Sequence, residues 1–121
     1  MKKDFKYFKE SEFECKCGCG ELPNIGIMAV INLIRHIINE PLIITSGKRC
    51  KKHNREIGGS KHSQHVLGNA CDIQYLRDNT PERIKQLREL LYELFPNSLG
   101  IGEYDNFVHI DIRNNKARWR G

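Results

Sequence analysis

The stretch LGIGEYDNFVHIDI, residues 99–112, determines the fold class of this 121-residue chain. From Val108 to Ile112, apolar and polar residues alternate, as they do in a strand with one buried face. Asp105-Asn106 divides the stretch into two halves and is typical of a two-residue hairpin turn. The stretch therefore predicts a hairpin of Leu99–Tyr104 and Phe107–Ile112, in which His109 and Asp111 share a face.

The segments before this hairpin predict two long helices and two further strands. Pro23-Asn24 begins a helix of about 15 residues with apolar residues at helical spacing, and Pro41 ends it. Thr80-Pro81-Glu82 begins the second helix, because threonine caps, proline fits the first turn and glutamate complements the helix dipole. Leu42–Ser46 and Asn69–Tyr75 have the composition of strands.

These elements predict an α+β fold, with a small, mostly antiparallel sheet and two main helices set apart from it. Between the first two strands, residues 47–64 are rich in Gly, Ser, Lys and His and predict a long loop. A loop of this length inside a small domain is more often functional than incidental.

Length and composition predict one domain over residues 1–121, on which a cysteine-containing segment, residues 1–22, packs. No apolar run reaches the roughly 18 residues of a membrane helix, and no apolar segment follows the basic N-terminus. We therefore expect a monomer made in the cytoplasm without a signal peptide. The net charge of +5 suits a polyanionic partner such as a bacterial wall. Because the charges are dispersed, nucleic-acid binding is not predicted.

Three residues from separate segments have the donor chemistry of a metal site. His65 and Asp72 lie on either side of Gly68, in a stretch that is too glycine-rich to form one helix, and His109 comes from the hairpin. Two imidazoles and one carboxylate suit a catalytic zinc ion, with the fourth position left for water. The alternative is that Asp72 is a turn carboxylate and both histidines are ordinary hydrogen-bonded polar groups.

The motifs around these residues resemble a known family. They are SGKR (46–49), HN (53–54), GG (58–59), SQH (63–65), Gly68, Ala70, Asp72, GIG (100–102) and HID (109–111). With this pattern the chain resembles the zinc D-Ala-D-Ala carboxypeptidase and L-alanyl-D-glutamate endopeptidase family. These are peptidoglycan peptidases, many of them phage endolysins, and they share a fold with the hedgehog signalling domain.

The resemblance implies zinc-dependent hydrolysis of peptide bonds in peptidoglycan stem peptides or cross-bridges. It also implies His65, Asp72 and His109 as zinc ligands, and Arg49 as the cation that holds a carbonyl or carboxylate of the substrate. A phage or prophage enzyme of this kind would reach the wall after release or lysis. Two positions depart from the family: Lys48 replaces a frequent aromatic residue, and Asn106 stands where relatives often carry a glutamate base.

The general base must then be another carboxylate, and three lie near His109: Asp111, Glu103 and Asp105, of which Asp105 is expected in the solvated hairpin turn. Asp111 shares the face of His109 in any register, so it is either the base or the residue that orients a ligand imidazole. With a two-residue turn, Gly102 and Tyr104 lie on the His109 face and Glu103 does not, but a shift of one residue reverses this. Tyr104 and Ser63 are candidates for substrate contact.

The five cysteines leave several interpretations open. Cys15, Cys17 and Cys19 form a tight cluster that either remains reduced in a turn or holds a structural zinc with one outside ligand. Cys50 and Cys71 adjoin Arg49 and Asp72, and a disulfide between them is a further interpretation.

A rival function is a binding module that keeps the fold and the zinc but lacks turnover. The asparagine at position 106 keeps this alternative open.

Overall fold

The computed structural model describes residues 5–121 and has an α+β architecture, as the sequence predicts. The elements, in chain order, are a 3₁₀-helix at Glu10–Phe13, α1 at Ile25–Ile38, β1 at Leu42–Ser46, α2 at Lys51–Glu56, β2 at Ala70–Tyr75, α3 at Pro81–Leu94, β3 at Gly100–Glu103, β4 at Val108–Asp111 and β5 at Ala117–Arg120. The two long helices and the first four strands lie where the sequence patterns place them.

The strands form one sheet in the order β1-β2-β4-β3-β5. The first four strands pair antiparallel, and β5 pairs parallel to β3 at the edge. The sheet is thus mostly antiparallel, as predicted, with a fifth strand that the sequence did not reveal. Ala117–Arg120 does alternate apolar and polar residues, but a run of four residues is too short for that pattern alone to predict a strand.

The predicted hairpin has the register of a two-residue turn. Gly102 pairs with His109, and Glu103 pairs with Val108. The rings of Tyr104 and Phe107, which flank the turn, stack with centroids 4.4 Å apart. This register directs Glu103 away from the face that carries His109.

The two faces of the sheet have opposite characters. On one face, sheet residues including Ile73, Val108 and Ile110 pack into a fully buried apolar core with residues of α1 and α3. The other face carries the buried polar residues Asp72, His109 and Asp111. Because side chains alternate along each strand, β2 and β4 contribute to the core and to the polar face at the same time.

The long loop contains a helix that the sequence analysis missed. Lys51–Glu56 forms α2, with Cys50 as its N-cap: the Cys50 sulfur accepts a hydrogen bond from the His53 backbone N–H. Asn54 is the one residue of α2 that is buried. A helix without an apolar stripe has no periodic signal in the sequence, so composition alone predicted a loop.

Of the interpretations that the sequence left open, a disulfide between Cys50 and Cys71 is wrong. All five cysteines are free thiols. Cys71 faces the apolar core on β2, whereas the Cys50 sulfur lies 3.7 Å from that of Cys17. Adjacency in sequence to Arg49 and Asp72 misled the prediction, because alternation on β2 directs Cys71 and Asp72 to opposite faces.

Within residues 5–121, no helix has the length and apolar character that crossing a bilayer requires.

Candidate metal centre

His65, Asp72 and His109 converge on one point of the polar face. Asp72 and His109 are direct partners across β2 and β4, and His65 lies in the turn that leads into β2. Asp72 Oδ1 lies 3.0 Å from His109 Nδ1 and 3.2 Å from His65 Nε2. All three side chains are buried.

The outer nitrogen of each imidazole is committed as a donor. His65 Nδ1 lies 2.8 Å from the Gly47 carbonyl oxygen, which can only accept a hydrogen bond. His109 Nε2 lies 2.9 Å from Asp111 Oδ2, another acceptor. In their neutral forms, both rings therefore direct an inner lone pair at the Asp72 carboxylate.

Such a convergence of three acceptors requires a positive species among them. A zinc ion with ligands at about 2.0–2.1 Å in tetrahedral geometry sets its donor atoms roughly 3.3 Å apart. The observed separations from Asp72 Oδ1, 3.0 Å and 3.2 Å, are close to this spacing. The donor set and its hydrogen-bonded outer nitrogens thus fit a zinc ion.

When no metal is bound, protons on the histidines supply the positive charge between these acceptors. The pKa values of Asp72 and His109 are shifted accordingly. Burial opposes the charge on Asp72, but the hydrogen bonds from His109 and His65 outweigh burial and hold the pKa of Asp72 below its ordinary value. Burial likewise opposes protonation of His109, yet hydrogen bonds to Asp111 and Asp72 raise the pKa of His109 above its ordinary value.

Asp111 orients His109 and is itself held by Arg113. The carboxylate is fully buried, and Arg113 Nε and Nη2 donate to its two oxygens at 2.7 Å each. Although burial acts to raise the pKa of Asp111, the bonds from Arg113 and His109 hold it far below its ordinary range. Both oxygens are thus hydrogen-bonded behind the His109 ring, a geometry that suits orientation of His109 better than proton transfer in the cleft.

Two glycines of β3 make room for this arrangement. A Cβ at Gly100 would lie 2.4 Å from Asp111 Oδ1, and a Cβ at Gly102 would lie 2.8 Å from the Trp119 ring. Trp119 crosses over Gly102 to reach His109, with ring centroids 5.1 Å apart, and carries the Arg113 guanidinium on its ring. The Gly-Ile-Gly motif is thus a packing requirement of the site.

Arg49 lies in the same cleft, on the segment after β1. Its Nη1 donates to Asn54 Oδ1 at 3.0 Å and its Nη2 to Ser46 Oγ at 3.4 Å, while its Nε is buried and has no hydrogen-bond partner within residues 5–121. The Asn54 side chain also donates to the Ser60 carbonyl. This buried amide therefore hydrogen-bonds both to the Arg49 guanidinium and to the backbone of the segment after α2. Gly59 allows the close approach, since a Cβ there would lie 2.0 Å from Asn54 Oδ1.

The cleft in front of these residues has a volume of about 400 Å³. Its lining contains the predicted substrate residues Ser63 and Tyr104. The complete lining is Arg49, Ser60, His62, Ser63, Gln64, His65, Asp72, Tyr104, Phe107, His109, Arg113 and Trp119. The polar face of the sheet therefore opens to solvent at the candidate ligands.

Glu103 does not join them. Its carboxylate accepts a hydrogen bond from Arg88 of α3 at 3.1 Å, on the opposite side of β3. Neither Glu103 nor Asp111, the two candidate bases, is among the residues that line the cleft.

Sequence reasoning missed Asn54, Arg113 and Trp119. Arg113 had a signal, because it continues the alternation of His109 and Asp111, two residues further along the chain. Asn54 lay within the HN motif but received no role, and Trp119 had no signal, since each acts through a tertiary contact.

A comparison with known protein families covers most of the residues that form this site. The family model described as Peptidase M15 matches residues 6–111, which include the three candidate ligands and Asp111. The chain belongs to the Peptidase M15 family. No curated protein and no solved structure matches the chain.

Membership of the Peptidase M15 family confirms the resemblance to zinc D-Ala-D-Ala carboxypeptidases. Peptidases of this family depend on zinc and act on peptides, and His65, Asp72 and His109 form a candidate metal-binding group in this M15 chain. Trp119, which packs on His109, lies beyond the matched region.

We predict that Gly102→Ala displaces Trp119 from His109. The added Cβ has no room beside the indole, so we expect a loss of about 1–3 kcal/mol of stability and a changed emission of this single tryptophan. Thermal melts and fluorescence spectra measure both. Gly26→Ala in α1 is the control, because its Cβ would meet only a flexible Ile112 side-chain atom within 4 Å. Unchanged emission and stability in Gly102→Ala would contradict the packing argument.

We predict that zinc affinity rises with pH through the range above 6.5, the ordinary pKa of histidine. His109 must lose its proton to bind a metal, and its raised pKa extends proton competition to higher pH. The stability of the zinc-free protein should depend on pH in the opposite direction. The stabilisation that protonated His109 provides is complete below pH 6.5 and is lost as the pH rises through the pKa of His109 in the folded state. Competition with a chromophoric chelator and melts of zinc-free protein test this. A flat affinity across the range would count against it.

Proposed function

We propose that this chain is a zinc metallopeptidase that hydrolyses peptide bonds in the stem peptides or cross-bridges of bacterial peptidoglycan. The observation that carries the proposal is the convergence of three acceptor atoms, from His65, Asp72 and His109, at the floor of a cleft that also contains Arg49. Such an arrangement holds a cation beside a site for an anionic or carbonyl group of the substrate.

The three ligands would leave the cleft side of the metal open. A zinc ion bound there supplies Lewis acidity that activates water and polarises a carbonyl group. The chain supplies the geometry: Asp111 fixes the His109 ring, and the Gly47 carbonyl fixes the His65 ring.

Arg49 is the substrate-binding cation of the proposal. Asn54 and Ser46 hold its terminal nitrogens from behind, and its buried Nε has no partner among the described residues. A guanidinium held in this way binds a carboxylate or a developing oxyanion at little further cost in side-chain entropy.

The surface beside the cleft suits an acidic peptide. His62 lines the cleft and also an adjoining depression, whose lining includes Lys51, Arg55 and Lys61. Stem peptides carry carboxylates of D-glutamate and of their C-termini, so this basic surface would attract them. An L-alanyl-D-glutamate bond or a D-Ala-containing cross-bridge is therefore the proposed substrate.

The proton carrier is proposed to be His62. Among residues 5–121, Asp72 is the only carboxylate that lines the cleft, and the proposal uses it as a ligand. His62 is the histidine of the lining that does not take part in the candidate metal site. Imidazole side chains commonly transfer protons in enzymes that act near neutral pH.

The test is incubation of zinc-loaded protein with purified muropeptides from several wall types, followed by mass spectrometry. We expect cleavage that a chelator abolishes and zinc restores. Arg49→Lys should keep zinc but lose about 10²–10³ in turnover, because an ammonium group lacks the planar fork. An unimpaired Arg49→Lys protein would remove Arg49 from the proposed role.

A matched pair of variants separates the two carboxylates near His109. Asp111→Asn should lower zinc affinity about 10–100-fold, because it weakens the orientation of a ligand imidazole. Glu103→Gln should retain activity, since that carboxylate pairs with Arg88 away from the cleft. Zinc titration and muropeptide turnover are the measurements. Strong loss of turnover in Glu103→Gln with intact Asp111→Asn would reverse the assignment.

A binding module is the second candidate function. Among residues 5–121, no carboxylate other than Asp72 lines the cleft, which favours this candidate, as does the asparagine at position 106. Such a module would retain muropeptides in a zinc-dependent manner and leave them intact. Muropeptides bound but uncleaved by fully zinc-loaded protein would support this candidate over the peptidase.

A further inference from the structure

A second group of metal-type donors lies outside the cleft. The sulfurs of Cys15, Cys17, Cys19 and Cys50 all lie within 4.8 Å of one another. Cys15 and Cys50 are buried, and Cys17 and Cys19 are exposed. With Cys71 in the apolar core, these four account for every other cysteine of the chain.

The spacing of the sulfurs fits a tetrahedral thiolate site. Zn–S bonds of about 2.3 Å set the sulfurs of a regular tetrahedron roughly 3.8 Å apart. The Cys15 to Cys17 and Cys17 to Cys50 sulfur distances are 3.4 Å and 3.7 Å. Both are far longer than a disulfide bond of about 2.05 Å.

A short turn at residues 15–21, the Cys15 knuckle, brings three of the thiols together although single residues separate them in the sequence. Gly18 and Gly20 have φ angles of +85° and +82°, which a residue with a side chain rarely adopts. The Gly18 N–H donates to the Cys15 carbonyl, and the Cys15 N–H donates to the Glu21 carbonyl. These turns fold the alternating cysteines back on themselves, so a strand-like separation of their side chains does not occur.

The surroundings would stabilise sulfur anions. The backbone N–H of Cys50 donates to the Cys15 sulfur, and that of His53 donates to the Cys50 sulfur, each at 3.3 Å. Four thiolates around a divalent ion carry a net charge of −2. The depression lined by Cys19 and Cys50 has a net positive lining: Lys48, Lys51, Lys52 and Arg55 outnumber one acid, Glu21, which pairs with Lys48 at 3.8 Å. Hydrogen bonds and positive charge of this kind accompany thiolate metal sites.

We propose that Cys15, Cys17, Cys19 and Cys50 bind a second zinc ion, which is structural. Four protein ligands close the coordination sphere, so this ion has no open position for water or substrate. The fourth ligand comes from the loop that carries the cleft residues, not from the N-terminal segment. The proposal does not rest on the peptidase reaction.

The position of Cys50 gives this zinc its role. Cys50 follows Arg49 directly and is the N-cap of α2, which contains Asn54. Nearby, the Lys48 N–H donates to the Phe13 carbonyl, and Gly47 packs so closely on Phe13 that a Cβ would lie 2.3 Å from that oxygen. The ion would therefore clamp the N-terminal segment to the start of the Arg49 loop, so that Arg49 acts from a fixed backbone.

Metal counting on the full-length chain, purified with zinc under reducing conditions, tests the proposal. We expect two zinc ions per chain in wild type and one in the Cys17→Ser/Cys19→Ser double variant. These two residues are exposed, so their replacement leaves the core intact. The His65→Ala/His109→Ala double variant should retain the cysteine-bound ion. Cys71→Ala, a cysteine outside the group, is the control and should retain both.

Cobalt substitution identifies the ligands independently of the count and of activity. A thiolate-to-cobalt charge-transfer band should appear in wild type, Cys71→Ala and the histidine double variant, and be lost in Cys17→Ser/Cys19→Ser. Its absence from wild type, or a zinc content that the cysteine variant leaves unchanged, would overturn the proposal. Disulfides in place of metal, detected as thiols that titrate only after reduction, would also overturn it.

The same variants separate this proposal from the proposed peptidase function. If the cysteine variant loses one zinc and the charge-transfer band while no muropeptide is cleaved by wild type, the structural site stands and the peptidase fails. If wild type cleaves muropeptides with a single bound zinc, the peptidase stands and the structural site fails.

Discussion

The structure depends on one electrostatic constraint: the Asp72 carboxylate meets the inner nitrogens of two imidazoles whose outer nitrogens are already donors. Three buried acceptors repel one another unless a proton or a metal ion lies among them. The surrounding structure holds this arrangement from several sides. The β2 and β4 pairing sets Asp72 opposite His109, and Asp111 and the Gly47 carbonyl fix the rings.

Burial of polar residues on one face of the sheet is energetically unfavourable unless they are paired, and this explains features that the local sequence does not. Asp111 is a fully buried carboxylate, and Arg113 satisfies it with two hydrogen bonds. That ion pair needs space, which the absence of a side chain at Gly100 supplies, while Gly102 admits the Trp119 ring over β3. The edge strand β5 thus closes the sheet and brings an aromatic wall to the cleft.

The loop between β1 and β2 joins the two candidate metal groups. Arg49 and Asn54 belong to the cleft, whereas Cys50, between them, belongs to the cysteine group. A peptidase that binds anionic substrate through Arg49 benefits from a rigid loop, because a preorganised cation binds without ordering its backbone first. In our two proposals the groups would contribute to one site in different ways: the histidine group would bind the catalytic zinc, and the cysteine group would fix the backbone of the loop.

The sequence by itself determined the α+β class, the starts of both long helices, four of the five strands and the residues that form the candidate ligand group, and it left the register of the hairpin open. These follow from local rules: helical and strand periodicity, capping, turn chemistry and donor type. Tertiary structure alone decided the helix at Lys51–Glu56, the parallel edge strand, the pairing of Glu103 with Arg88 and the partnership of Cys50 with the Cys15 knuckle. Each depends on contacts between residues distant in sequence, for which periodicity carries no signal.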